Sequence, residues 1–115
     1  MTSTGLYDAD DIIAMAEVAY DTLRTYRRCA ELHVPTEWLE LPEKERLAFT
    51  DRILTALYDT QLTPEKMYAE EQFPLTFQEL SPQEQLQNFL LTGIITAFRL
   101  YAYSLQGITA KKETP

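Results

Sequence analysis

From Ser81 to Gly107 the chain reads SPQEQLQNFLLTGIITAFRLYAYSLQG, and this stretch decides the fold. Ser81-Pro82-Gln83-Glu84 is a capping box: a hydroxyl to accept a free amide, proline where no amide is needed, and an acid three residues on. Leu86, Phe89, Leu90, Ile94, Ala97, Leu100 and Tyr101 then recur at helical spacing, and Leu91, Ile95 and Phe98 widen the apolar face. The helix is expected to run to Leu105 or Gln106, with Gly107 as its stop. Gly93 lies inside it and costs about 1 kcal/mol relative to Ala, so a close helix contact is expected there.

Upstream, Pro35, Pro42, Pro64, Pro74 and Pro82 separate four helical patterns. The first runs from about Asp8 to Leu32, with Ile12, Ala16, Ala19, Leu23, Tyr26 and Ala30 as its stripe and Ile13 and Tyr20 widening it. Asp8, Asp10 and Asp11 open it and Arg24, Arg27 and Arg28 lie near its end, an order that complements the helix dipole. It must stop near His33, because Pro35 disfavours helical geometry at Val34. A linker, Pro35 to Leu41, holds the sole tryptophan, Trp38, expected to anchor the fold. Pro42 suits the first position of a second helix reaching about Tyr58, with Leu47, Phe49, Ile53, Leu54 and Leu57 as its buried side. Thr63-Pro64-Glu65 starts a short third helix ending near Glu71. Phe73 to Phe77 reads as an extended connector. Two long and two shorter helices predict a compact, all-α, four-helix domain over 8–107, with 1–7 and 108–115 as flexible ends.

Composition agrees. The chain has 115 residues and 45% hydrophobic residues, with Val scarce, which favours helix over sheet. A domain this size buries roughly 65% of its unfolded surface and needs no staples. The net charge of -8 makes it a poor binder of nucleic acid. One cysteine, Cys29, excludes an internal disulfide, and one histidine, His33, excludes most zinc sites. The start of the chain lacks a basic region followed by an apolar run, so no signal peptide is expected. Gln87, Asn88 and Arg99 interrupt the most apolar segment, so no membrane span is expected either. A cytoplasmic protein without a cofactor is the expectation.

The order Pro35-Thr36-Glu37-Trp38, Leu41-Pro42, Arg46, Thr63-Pro64-Glu65, Pro74, Phe77, Glu79-Leu80-Ser81-Pro82 and Ile94-Ile95-Thr96-Ala97-Phe98 resembles small bacterial and phage proteins. These carry a domain similar to the repeat of ryanodine receptors. The resemblance covers roughly Ala16 to Phe98. Where that family has a Gly-Trp/Tyr-Gly hairpin, this chain has only Glu70 to Leu75. The resemblance implies a small accessory or interaction module of phage or bacterial origin, not a reaction.

Candidate chemistry is sparse. Cys29 and His33 are four apart and share a helix face, but a closed zinc site needs two more ligands. No oxyanion donor or orienting group completes a Cys-His catalytic pair. Arg24, Arg27 and Arg28 are either an anion contact or dipole compensation with local partners such as Asp21 and Glu31. Asn88, Thr92, Thr96, Arg99 and Tyr103 step by three and four along the last helix. This uncharged-to-polar stripe is either a contact strip or simply the solvent face. With three glycines, phosphate cradles are nearly excluded.

These readings predict a non-enzymatic helical interaction protein acting by surface contact with a protein partner, and leave a homodimer open. The alternative is an acidic inhibitor whose carboxylates imitate nucleic-acid phosphates on a host protein.

Overall fold

The computed structural model describes residues 7–69 and 75–113, with side chains over 7–68 and 75–102. Expectations for Glu70, Glu71, Phe73, Pro74, the chain ends 1–6 and 114–115, and the side chain of Tyr103 lie outside the described residues. The protein is an all-α domain, and its described residues form four helices: α1 (Ala9–Cys29), α2 (Glu43–Leu57), α3 (Pro64–Ala69) and α4 (Pro82–Glu113). Short 3-10 turns at Trp38–Glu40 and Phe77–Glu79 join them. Among the described residues no helix is long and apolar enough to cross a membrane.

Local chemistry sets the helix ends. Asp8 caps α1 by accepting the Asp11 N–H at 2.9 Å. The other end closes as a Schellman motif: Leu32 N–H donates to Arg27 C=O and Glu31 N–H to Arg28 C=O. That geometry puts Glu31 at φ 60, a left-handed position that favours glycine. Hence α1 stops at Cys29, short of the Leu32 end that Pro35 suggests. Pro42 is the N-cap of α2, one position before the helix proper. Thr63 Oγ1 accepts from Lys66 N–H at 3.2 Å, and Ser81 Oγ from Glu84 N–H at 3.3 Å. At Ser81 the return bond differs from a full capping box, since the hydroxyl itself donates to Glu84 Oε1. The reciprocal box is formed instead at Thr76 and Glu79, in the connector read as extended.

α1, α2, α3 and α4 enclose one core. Ala16 and Ala19 of α1, Ile53 of α2, Met67 of α3, and Leu91 and Ile95 of α4 are all 0% exposed. Each such Ile, Leu or Met contributes roughly 1.5–3 kcal/mol relative to an exposed position, and the two alanines let helices approach closely. Trp38 closes one end, buried against Tyr20 (5.5 Å between ring centroids) and Phe49 (6.1 Å). The Tyr20 hydroxyl donates to Thr36 C=O, which pins the linker, and burial pushes its phenol pKa up. Tyr7, assigned by sequence to a flexible end, is buried edge-on against Tyr58.

Two expectations about faces and one about a helix end are corrected. Leu47 is exposed, because α2 turns Phe49, Ile53, Ala56 and Leu57 inward and Leu47 lies off that arc. α4 is turned as well. Leu91, Ile95 and Ala102 are its buried line, whereas Leu86, Phe89, Leu100 and Tyr101 are 55%, 54%, 65% and 61% exposed. Apolar residues occur nearly all round this helix, so hydrophobicity alone selects no face. Third, Gly107 does not stop α4, which continues to Glu113. Glycine only permits a stop; no proline follows at once, and Ala110, Lys111 and Lys112 are good helix formers.

Candidate functional site

Two features merit a functional reading: a cleft among the helices, and the two polar and apolar flanks of α4. The cleft, of about 730 Å³, opens between α1, the linker, α2, α3 and the start of α4. Tyr20, Leu23, Phe49, Tyr68 and Leu75 give it apolar walls, and Arg27, Arg52, Glu45, Glu84 and Asn88 give it polar groups. Most of these polar groups hold the fold. Arg27 donates from Nε to His33 C=O and from Nη1 to Gln87 Oε1, tying α1 to α4. Arg52 donates from Nη2 to Met67 C=O at 3.0 Å, tying α2 to α3. Glu84 accepts the Ser81 hydroxyl. Two guanidinium groups face two carboxylates, so the cleft selects no charge sign.

The basic cluster divides. Arg24 donates to Pro35 C=O at 2.9 Å and Arg27 to His33 C=O, so both hold the linker against the end of α1. Arg28 stays exposed. Two of the three arginines are thus engaged by the linker backbone, while Arg28 is left at the surface. Cys29 and His33 are both exposed. Among the described residues no group of three or more His, Cys, Asp or Glu side chains is arranged to hold a metal ion.

The polar stripe of α4 lies on the flank of the helix that turns toward the bundle. Asn88 is 1% exposed; its Nδ2 donates to Glu84 C=O, and its Oδ1 is buried without a hydrogen-bond partner among the described residues. Thr92 and Thr96 donate to the carbonyls four residues back, Asn88 and Thr92. Arg99 reaches across to the end of α2, donating from Nε to Leu57 C=O (3.1 Å) and from Nη2 to Ala56 and Asp59 C=O (both 2.8 Å). A helix leaves its last carbonyls unsatisfied and negative, and Arg99 is the cation that meets them. Among the stripe's described side chains Thr96 is the exposed one, at the edge of the next arc.

That next arc is the apolar outer face of α4. Phe89, Gly93, Ala97 and Leu100, with Leu86 and Tyr101, fall within less than half a turn of one another on a helical wheel, and all six are exposed. Between Glu84 and Lys111 the one charged residue in the sequence is Arg99, and it is turned to α2. The outer arc is therefore free of charge over its described length. Gly93 sits at its middle, and a Cβ placed there meets nothing within 4 Å. The close helix contact expected at Gly93 is not made among the described residues.

Sequence reasoning missed this arc because it assigned the arc's residues to the core. Asn88 and Arg99 interrupt the apolar pattern, but on sequence alone a polar side chain suits solvent as well as a buried acceptor; only the contact of Arg99 with the end of α2 turns that flank inward. No protein-family model, curated protein or solved structure matches the chain.

Proposed function

We propose that the chain is a non-enzymatic helical interaction module that engages a protein partner through the outer face of α4. One observation carries the reading: a charge-free arc of large apolar side chains pointing away from the core, in a chain of net charge -8. Contiguous apolar surface of this kind is characteristic of protein contacts, with depletion of charge at the centre and aromatic residues among the anchors. A partner that fits presents an apolar, uncharged helical surface. The resemblance to ryanodine-receptor-repeat-like domains of bacterial and phage proteins favours the same accessory role.

Acidic mimicry of nucleic acid has less to support it. Asp8, Asp10 and Asp11 stand at the start of α1, Glu43 and Glu45 at that of α2, Glu65 at that of α3 and Glu84 at that of α4. At those places the helix dipole accounts for a carboxylate. The test compares two variants of similar size of perturbation, Phe89→Asp/Leu100→Asp and Asp8→Asn/Asp10→Asn/Asp11→Asn, for association with whatever protein binds the wild type. The proposal expects the first to abolish association with helical content unchanged, and the second to leave it within about twofold. Normal binding by the first and loss by the second, with loss of salt dependence, would overturn it in favour of mimicry.

A further inference from the structure

We infer that the partner of the α4 outer face is a second copy of this chain, paired antiparallel about a two-fold axis through Gly93. The inference rests on the reading of that face as a contact surface and names its occupant.

Gly93 is the first ground. Glycine inside a helix is unfavourable relative to alanine, and among the described residues nothing needs its small size, since an added Cβ meets open space. A second helix passing at that point does need it. Axes 8–10 Å apart, or closer over small residues, are reached when side chains at the crossing are minimal, and Ala97 one turn on extends the small patch.

The order of sizes around Gly93 is the second ground. An isologous contact requires that residues equally far before and after the axis fit each other. Seven residues before Gly93 stands Leu86, and seven after it Leu100, so these two large side chains meet across the axis. Four before stands Phe89 and four after Ala97, a large side chain opposite a small one. Leu90 meets Thr96, and Gly93 meets its own symmetry mate. Reversed, the face sets Phe89 against Ala97; in parallel register two Phe89 rings would collide and two Ala97 methyl groups would leave a gap, so Phe89 is the residue that separates the two registers.

Charge is the third. Two copies of net charge -8 repel, and the outer arc of α4 brings no like charge into contact over its described length. The four large side chains leave on the order of 500 Å² open. That is below the ~800 Å² per partner of a standard interface, so the pairing is expected to be weak and concentration-dependent.

The test uses sedimentation velocity on the full chain over a hundredfold concentration range, with two further variants. Wild type is expected to pass from monomer to dimer as concentration rises. Gly93→Leu is expected to stay monomeric over the range while melting at higher temperature than wild type when both are dilute, because the side chain enters free space and favours helix. In a Cys29→Ser background, Gly93→Cys is expected to form an interchain disulfide readily, its symmetry mate lying within bridging range. Leu86→Cys is expected not to, because the two copies of position 86 lie ~21 Å apart in the antiparallel pair. Equal cross-linking at both positions would overturn the antiparallel axis. A wild type that stays monomeric throughout would overturn self-association. If such a monomer still bound another protein in a manner lost on Phe89→Asp/Leu100→Asp, the contact surface would stand and only its occupant would be wrong. If neither association occurred, both would fall.

Discussion

Arg99→Met separates a structural cation from a surface one. Arg99 donates three hydrogen bonds to carbonyls at the end of α2, at 2.8–3.1 Å. A hydrogen bond with a charged partner is worth about 1.5–3 kcal/mol. Three that share one guanidinium do not add, and this side chain is only half-buried, so the loss is expected near 2–4 kcal/mol. Methionine keeps the aliphatic stem that packs along α4, which isolates the polar contribution. Arg99→Lys keeps the charge, worth about 0.3–1 kcal/mol at a helix C-terminus, but an ammonium group does not span all three carbonyls, so it should recover less than half. Urea unfolding followed by circular dichroism, at one low protein concentration, reads these differences as midpoint shifts at constant slope. A change within the ~0.5 kcal/mol typical of plain surface positions would refute the assignment of Arg99 to the end of α2.

Three further outcomes follow from the local chemistry. Glu31→Gly should raise the melting temperature by a few degrees, since glycine relieves a left-handed position that costs other residues about 1–2 kcal/mol; a lower melting temperature would count against the Schellman end of α1. Trp38→Ala should cost about 3–5 kcal/mol, and native Trp38 emission should be blue-shifted and resist iodide, whereas red, freely quenched emission would place it at the surface. Hydrogen bonds from the Thr76 backbone and hydroxyl hold the Glu79 carboxyl below its ordinary value of 4.5. Because the folded pKa is depressed, its contribution to the Phe77–Glu79 turn is present above pH 4.5 and is lost as pH falls through the folded value. Carboxyl carbon resonances should give Glu79 a midpoint below 4.5 that rises in Thr76→Ala; an unchanged midpoint would remove the hydroxyl from that bond.

Much of the fold is legible in the sequence because its helix starts are marked chemically. Asp8, Pro42, Thr63-Pro64 and Ser81-Pro82 each announce a beginning, and all four hold within a residue. Ends are harder. Glu31 adopts a conformation that its side chain disfavours, so no residue type announces that end, and Gly107 carries the right residue for a stop without becoming one. The orientation of α4 is where periodicity fails. With Leu86, Phe89 and Leu100 on one side and Leu91, Ile95 and Phe98 on another, two arcs compete for the core, and apolarity does not rank them. The decision lies in contacts between distant segments: Arg99 with the end of α2, and Gln87 with Arg27 of α1. The candidate site follows from that rotation, so it was hidden for the same reason.

The most direct measurement is an isotope-filtered nuclear Overhauser experiment on a mixture of labelled and unlabelled chains. It asks whether the Phe89 ring lies near the Ala97 methyl group. Within one helix these residues are eight apart, or ~12 Å along the axis, too far for a cross-peak. An antiparallel pair through Gly93 gives an intermolecular cross-peak between them that disappears in Gly93→Leu. At concentrations where wild type sediments as a dimer, a Phe89 ring that sees only its own chain, such as its neighbour Phe77 at 6.4 Å, would contradict it.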